Sequence, residues 1–142
     1  MAIYKRSTKE IIMGDLDTAI RAIPGIAYVD WQRAYDQGVT RDRYPGSFIN
    51  DIRVDKEKLL KDITKNLWAV GLVGFVWAGE DENLGTVQNT FIEAMKDAVV
   101  SDRSRDGNAY TTNIELIETD MGNRHPQGVF SMPITIVFWS VE

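Results

Sequence analysis

A single histidine, His125, is the first residue to examine for chemistry, because imidazole titrates near neutral pH and serves as acid, base or metal ligand. It lies between Arg124 and Pro126, a setting more typical of a structural loop than of a catalytic centre. One histidine and no cysteine exclude a histidine-rich or thiolate metal site within one chain. A Ser-His-Asp triad is compatible with the composition, but no Gly-x-Ser-x-Gly elbow supports it. We therefore predict that the chain is not an enzyme.

Three consecutive acidic residues, Glu80, Asp81 and Glu82, form the second candidate for chemistry. Clustered carboxylates hold divalent cations in magnesium-dependent nucleases. The same residues precede a predicted helix, where negative charge stabilises the N-terminal end of the helix dipole. We favour a solvated turn and predict no metal, and we keep a small metal-dependent hydrolase or nuclease as the alternative.

Phosphate-binding signatures are absent, which leaves the arginines as the residues most suited to binding. No Gly-x-x-x-x-Gly-Lys loop occurs, and Gly71 and Gly74 lie inside a predicted strand, where they cannot cradle a phosphate. We predict no cofactor. Loop arginines can contact a phosphate or a partner's carboxylate. The candidate interface residues are Arg41, Arg43, Trp77, Arg103, Arg105, Arg124, His125 and Pro133.

The bulk composition predicts one soluble domain spanning residues 1–142. Hydrophobic residues make up 44% and charged residues 26% of the 142 positions, which is ordinary globular usage. The net charge of −5 argues against an autonomous nucleic-acid binder and against docking to an anionic membrane. The longest apolar stretch, residues 67–78, is too short to span a bilayer as a helix, and the N-terminus lacks the apolar core of a signal peptide.

Hydrophobic periodicity predicts two amphipathic helices, over residues 8–22 and 85–100. Ser7 and Glu10 have capping-box spacing at the start of the first helix. Apolar residues recur three or four positions apart along both helices: Ile12, Leu16, Ile20 and Ile23, then Val87, Phe91, Met95 and Val99.

Strands are predicted over residues 26–33, 47–54, 67–78, 110–118 and 129–141, with long loops over residues 34–46 and 119–128. Residues 55–66 suit either a short helix, with Leu59, Leu60 and Ile63 inward, or a strand. The predicted fold class is α+β, with both helices packed on one face of a mixed, mainly antiparallel sheet of about four to six strands.

The strand over residues 67–78 has apolar side chains on both faces, which two helices on one face cannot cover. Alternate side chains of a strand point to opposite sides of a sheet. One side carries Leu67, Val73, Phe75 and Trp77, and the other carries Trp68, Val70, Leu72 and Val76. The second face is closed either by the chain's own residues 34–66 or by another subunit, since large apolar patches mark interaction surfaces.

Pro133 interrupts the last predicted strand. Proline cannot donate to a sheet ladder, so it favours an edge position, where an open edge can pair with another chain. A central strand with a bulge at the proline is the alternative.

Three stretches of the C-terminal half resemble neck and tail-completion proteins of tailed bacteriophages. They are NTFIEAMKDA at residues 89–98, IETDMGNRHPQGVF at residues 117–130 and MPITIVF at residues 132–138. The order of helices and strands is also similar to that of the terminator fold of the minor tail protein U type. The resemblance covers most of the chain in element order and residues 68–142 at the level of individual residues.

The resemblance implies a structural virion protein that is assembled in the host cytoplasm and takes its place in the tail or neck. Terminators of this family form a hexameric ring on the last tail-tube ring, halt its polymerisation and present a surface to the head-completion or neck protein. In contractile tails they also contact the sheath, and DNA passes through the lumen without sequence-specific binding. In such a ring, Arg41, Arg43, Arg103 and Arg105 are candidates for a polar rim or for the DNA-facing lumen. The resemblance implies no catalytic residue, cofactor or membrane. Another neck or baseplate component of the same fold, and a host adaptor domain that forms no ring, are the remaining alternatives.

Overall fold

The computed structural model describes residues 8–35 and 39–141, which contain two α-helices and six strands. In chain order they are α1 (Thr8–Arg21), β1 (Tyr28–Trp31), β2 (Gly46–Leu60), β3 (Ile63–Trp77), α2 (Leu84–Val100), β4 (Thr111–Ile114), β5 (Glu118–Thr119) and β6 (Gln127–Val141), with a 3₁₀ turn at Arg41–Arg43 before β2. Ser7, the predicted helix cap, lies outside the described residues. No described helix is long and apolar enough to cross a membrane.

The six strands form one open mixed sheet. Its order is β1-β2-β3-β6-β4. The short strand β5 also pairs with β6, at Ser131 and Phe130, next to the stretch that pairs with β4. Only β1 and β2 are parallel, and every other pairing is antiparallel. The predicted fold class is therefore confirmed.

Residues 55–66 belong to a long hairpin, so the helical alternative for them is wrong. The pairing of β2 with β3 continues to Leu60↔Ile63, and β6 accompanies β3 to Ile63↔Val141. A short helix there would leave the β3 backbone without a partner on one side, and ladder bonds over this length outweigh local helix propensity. We call this end of the hairpin, residues 55–66, the arm.

The helix-covered face of the sheet holds the main core. In β3, Trp68, Val70 and Leu72 are fully buried, which confirms the predicted alternation. Apolar residues of α1, α2 and β6 complete the layer: Ile12, Leu16, Ile20, Phe91, Ile92, Met95, Val99, Phe130, Met132, Ile134, Ile136 and Phe138. A Cβ at Gly74 would lie 2.1 Å from the Phe130 ring, so this glycine makes room for an aromatic of the core.

The opposite face, which we call the second face, is covered by the chain itself at one end. Val39, Tyr44 and Phe48 fold over Phe75 in a separate buried cluster. The prediction of cover from residues 34–66 is thus confirmed for this end. Towards the arm, apolar side chains stay exposed, with Ile52 at 59% and Trp139 at 39%.

Pro133 is not at a sheet edge, so that prediction is wrong. The proline pairs with Gly71 on β3, and its carbonyl accepts the Glu115 amide at 2.8 Å on the other side. In an extended strand the N–H and C=O of one residue point the same way, so the missing N–H faces the interval between β4 and β5. The central position is tolerated because the neighbouring strand is interrupted there rather than because β6 bulges.

Candidate interaction surface

The acidic run 80–82 forms a solvent-exposed turn between β3 and α2. Glu82 accepts the Gly79 amide at 2.7 Å, and the side chain of Asn83 accepts the Thr86 amide as the cap of α2. No group of three potential metal ligands occurs in the described part of the chain. The turn thus has a clear local role at the start of a helix.

Six aromatic rings form a connected group on the covered end of the second face, which we call the aromatic cluster: Tyr28, Tyr35, Tyr44, Phe48, Phe75 and Trp77. Phe75 is at its centre, with ring centroids 4.9 Å from Phe48, 5.2 Å from Tyr44 and 5.5 Å from Tyr35. Tyr44 also meets Trp77 edge-on at 5.5 Å. Such edge and tilted contacts add specificity to apolar burial.

Four arginines lie over this cluster. Arg43 is 4.5 Å from the Tyr28 ring and Arg41 is 5.0 Å from the Trp77 ring. The other two stacks join Arg124 to Tyr35 at 5.6 Å and Arg33 to Phe48 at 5.7 Å. All four guanidinium carbons therefore lie within cation–π distance of a ring, where the positive charge is attracted to the ring quadrupole.

The four arginines differ in their ion pairs. Arg33 lies 3.6 Å from Asp30, and Arg124 lies 3.4 Å from Asp120. Arg41 and Arg43 make no ion pair with any residue in the described ranges. Their charges are the ones that remain for an external carboxylate or phosphate.

Two tyrosines of the loop before β2, Tyr35 and Tyr44, are joined by a hydrogen bond within the aromatic cluster. The hydroxyls of Tyr35 and Tyr44 are 2.8 Å apart. Burial, and then the bond to Tyr44, raise the pKa of Tyr35 well above its ordinary value. The pair keeps both rings in place against Phe75, and so fixes the platform on which the arginines stack.

The structure thus brings together about half of the predicted interface residues. Arg41, Arg43, Trp77 and Arg124 meet at the aromatic cluster, and exposed His125 adjoins Arg124 in the chain. Arg103, Arg105 and Pro133 lie elsewhere: the two arginines follow α2, and the proline is in β6.

Arg105 does not reach the surface, which corrects its assignment as a rim or lumen residue. Its guanidinium donates to the carbonyls of Val99 and Asp102 and lies 3.4 Å from the Asp15 carboxylate. Burial lowers the pKa of Arg105, and burial also raises the pKa of Asp15. Both shifts disfavour charge, so desolvation outweighs the attraction, and Arg105 acts as an internal clamp on the end of α2.

Arg103 is exposed but is also engaged within the subunit. It donates to the Thr112 carbonyl at 2.8 Å, and the Thr112 hydroxyl donates back to the Arg103 carbonyl at 2.9 Å. These bonds occupy the outer edge of β4 and hold the turn after α2 against it.

Two further features were not identified from the sequence. Tyr35 and Tyr44 belong to the aromatic cluster, and Arg33 lies over its Phe48 ring; the two tyrosines within an otherwise polar loop were the available signal. The second feature is a groove of about 420 Å³ beside Trp77, at the end of β3. Its lining includes Ile23, Pro24, Tyr44, Val87, Phe91 and Glu82.

No protein-family model matches the chain, and the search of curated proteins finds no match. A solved structure described as "Virion of native gene transfer agent (GTA) particle" contains a chain of similar fold, with a TM-score of 0.61. The likeness covers 96% of the present chain and 100% of the other, at 11% sequence identity. At this identity, the likeness shows a common fold.

Proposed function

We propose that the chain is a tail terminator: a structural virion protein that forms a homo-oligomeric, hexameric ring on the end of a phage tail tube. There it ends polymerisation and joins the tail to the head-completion or neck protein. The observation that carries the proposal is the fold, which extends over the whole length of a chain from a gene transfer agent virion. The residue stretches that resemble tail-completion proteins support the same role.

The uncovered half of the second face supports assembly with other subunits. Exposed Ile52, Trp139 and Val141 lie on a side of the sheet that the described helices do not reach. A ring needs heterologous, head-to-tail contacts that close by rotation, and an apolar face rimmed by charge is typical of such contacts.

The charge distribution favours a lumen through which DNA slides without sequence-specific binding. The chain carries a net charge of −5, and of the four arginines over the aromatic cluster, Arg41 and Arg43 make no ion pair with a described residue. Phosphate binding depends on the number of phosphates that are neutralised and weakens with salt, so two arginines per subunit on a net acidic chain favour salt-sensitive contacts over tight binding. Sheath and tube are the further protein partners of such a ring, and the virion tail or neck is its location.

Growth of the tail tube provides the test. Purified tube protein is polymerised with and without the chain, and tube length is followed by light scattering. The proposal predicts that substoichiometric amounts stop elongation, because one ring blocks one end. Unchanged elongation at every ratio would contradict it.

Another neck or baseplate ring of the same fold is the nearest competing function. A gold label on the chain separates the two, since a terminator lies at the head-proximal end of the tail and a baseplate component at the distal end.

A further inference from the structure

The two ends of the long sheet present different exposed chemistry. At the tip of the arm, Leu59 and Leu60 are 44% and 66% exposed, and Lys58 and Lys61 flank them. Residues 55–62 are all exposed, so no other described helix or strand covers these leucines. An apolar pair between two cations therefore projects into solvent.

The opposite end carries the complementary groups. The groove beside Trp77 is largely apolar, and the acidic turn 80–82 forms its border through Glu82. Glu80 and Asp81 are exposed and make no ion pair with any described residue. The same is true of Lys58 and Lys61 at the tip within the part of the chain that the structure describes.

One subunit cannot bring its own tip to its own groove. Both lie at opposite ends of β3, whose 15 residues span roughly 46 Å at about 3.3 Å per residue. The strand is held in the ladder on both sides by β2 and β6, so it cannot fold back. Any contact between these surfaces joins two molecules.

We propose that the arm tip of one copy docks in the groove of the next copy, with Leu59 and Leu60 on the apolar lining and the lysines against Glu80 and Asp81. This deepens the proposed function and rests on it, because it names the contact that closes the ring. Tip-to-tip pairing opposes lysine to lysine, and groove-to-groove pairing opposes carboxylate to carboxylate. The charges therefore select the head-to-tail contact, which is the kind that a ring requires.

Charge reversal tests the contact in solution. One variant carries Lys58→Glu with Lys61→Glu, and a second carries Glu80→Lys with Asp81→Lys. Each alone should associate roughly tenfold or more weakly than the unmodified chain in sedimentation experiments, because the tip and the groove of each variant then carry charges of the same sign. An equimolar mixture should recover assembly, because each variant's tip is then complementary to the other's groove. Association of either variant at full strength, or a mixture that fails to recover, overturns the proposal.

The apolar part of the contact has its own control. Leu59→Ser with Leu60→Ser should abolish association and leave the thermal midpoint of the subunit unchanged. Leu116→Ser removes a leucine that is 72% exposed but belongs to neither surface, and it should change neither property. Equal effects of the two changes overturn the proposal.

The absence of cysteine allows a covalent readout. Under oxidation, a Leu60→Cys, Thr86→Cys double variant should form a disulfide-linked ladder, and each single variant should stay monomeric. Dimers from Leu60→Cys alone indicate tip-to-tip contact and overturn the proposal. If both charge-reversal variants still form rings that cap tubes, the proposed contact is wrong but the terminator function stands. If the unmodified chain neither forms rings nor caps a tube, both proposals are wrong.

Discussion

The two faces of the sheet are built from the same strands but are completed in different ways. On the helix-covered face, α1 and α2 bury Trp68 and its neighbours completely. On the second face, the chain covers the end around Phe75. The end towards the arm is left open, and the Trp139 side chain there is 39% exposed. One face is therefore finished within the subunit, and the other has room for a neighbour.

This difference separates stability from assembly. Folding free energy comes mainly from apolar surface removed from water within the subunit, which is concentrated on the helix-covered face and around Phe75. The exposed apolar residues of the second face remain in water in the isolated chain and so contribute little to its folding free energy. Substitutions on the two faces should consequently have different effects on the isolated chain.

The largest expected contrast is between two tryptophans on opposite faces. Trp68→Ala removes a fully buried ring and its 2.8 Å hydrogen bond to Asp51, and should cost about 3–5 kcal/mol of unfolding free energy. Trp139→Ala removes a partly exposed ring and should cost less than about 1 kcal/mol. Urea denaturation of the isolated chain measures both, and equal losses would mean that the two faces are equally closed.

The next contrast is between two arginines of the turn after α2. Arg105→Met removes donors to buried carbonyls and leaves them unsatisfied, which should cost about 2–4 kcal/mol. Arg103→Met loses one hydrogen bond from an exposed side chain to the Thr112 carbonyl and should cost about 1 kcal/mol. Thermal unfolding of the two variants checks the internal role of Arg105. A larger loss of stability in Arg103→Met than in Arg105→Met would contradict that role.

Alkaline pH tests the closed end of the second face. The pKa of Tyr35 is raised in the folded state, so above an unfolded pKa of about 10 the unfolded chain releases the proton first and stability falls with rising pH. Tyr35→Phe should flatten that part of the stability curve and cost about 1 kcal/mol near neutral pH through the lost bond to Tyr44. An unchanged slope above pH ~10 would show that this ring is solvated.

The smallest expected effect concerns the stacked arginines. Arg41→Gln removes a cation from the Trp77 ring and should cost about 0.5–1 kcal/mol, as exposed cation–π contacts do. Lys65→Gln, on the arm, has no such ring partner among the described residues and is the matched control. A loss several-fold larger at Arg41 would mean that its role is in folding rather than in binding.

Local patterns were sufficient for most of the fold and for part of the surface. The 3.6-residue spacing of apolar residues placed both helices, and the alternation in residues 67–78 identified two apolar faces. Residues 55–66 and Pro133 required the long-range pairing of β3 and β6, which no local pattern encodes. Arg105 was predicted to be an interface residue because it lies in a loop, whereas its burial depends on the carbonyls at the end of α2 and on Asp15 from the other helix.

The central claim is that this subunit functions by assembling with other subunits rather than by catalysis, and electron microscopy of tail ends tests it most directly. Tubes assembled with the chain should carry one added ring at one end, with every arm buried between neighbouring subunits. Isolated single subunits, or subunits scattered along the tube wall, would contradict the account.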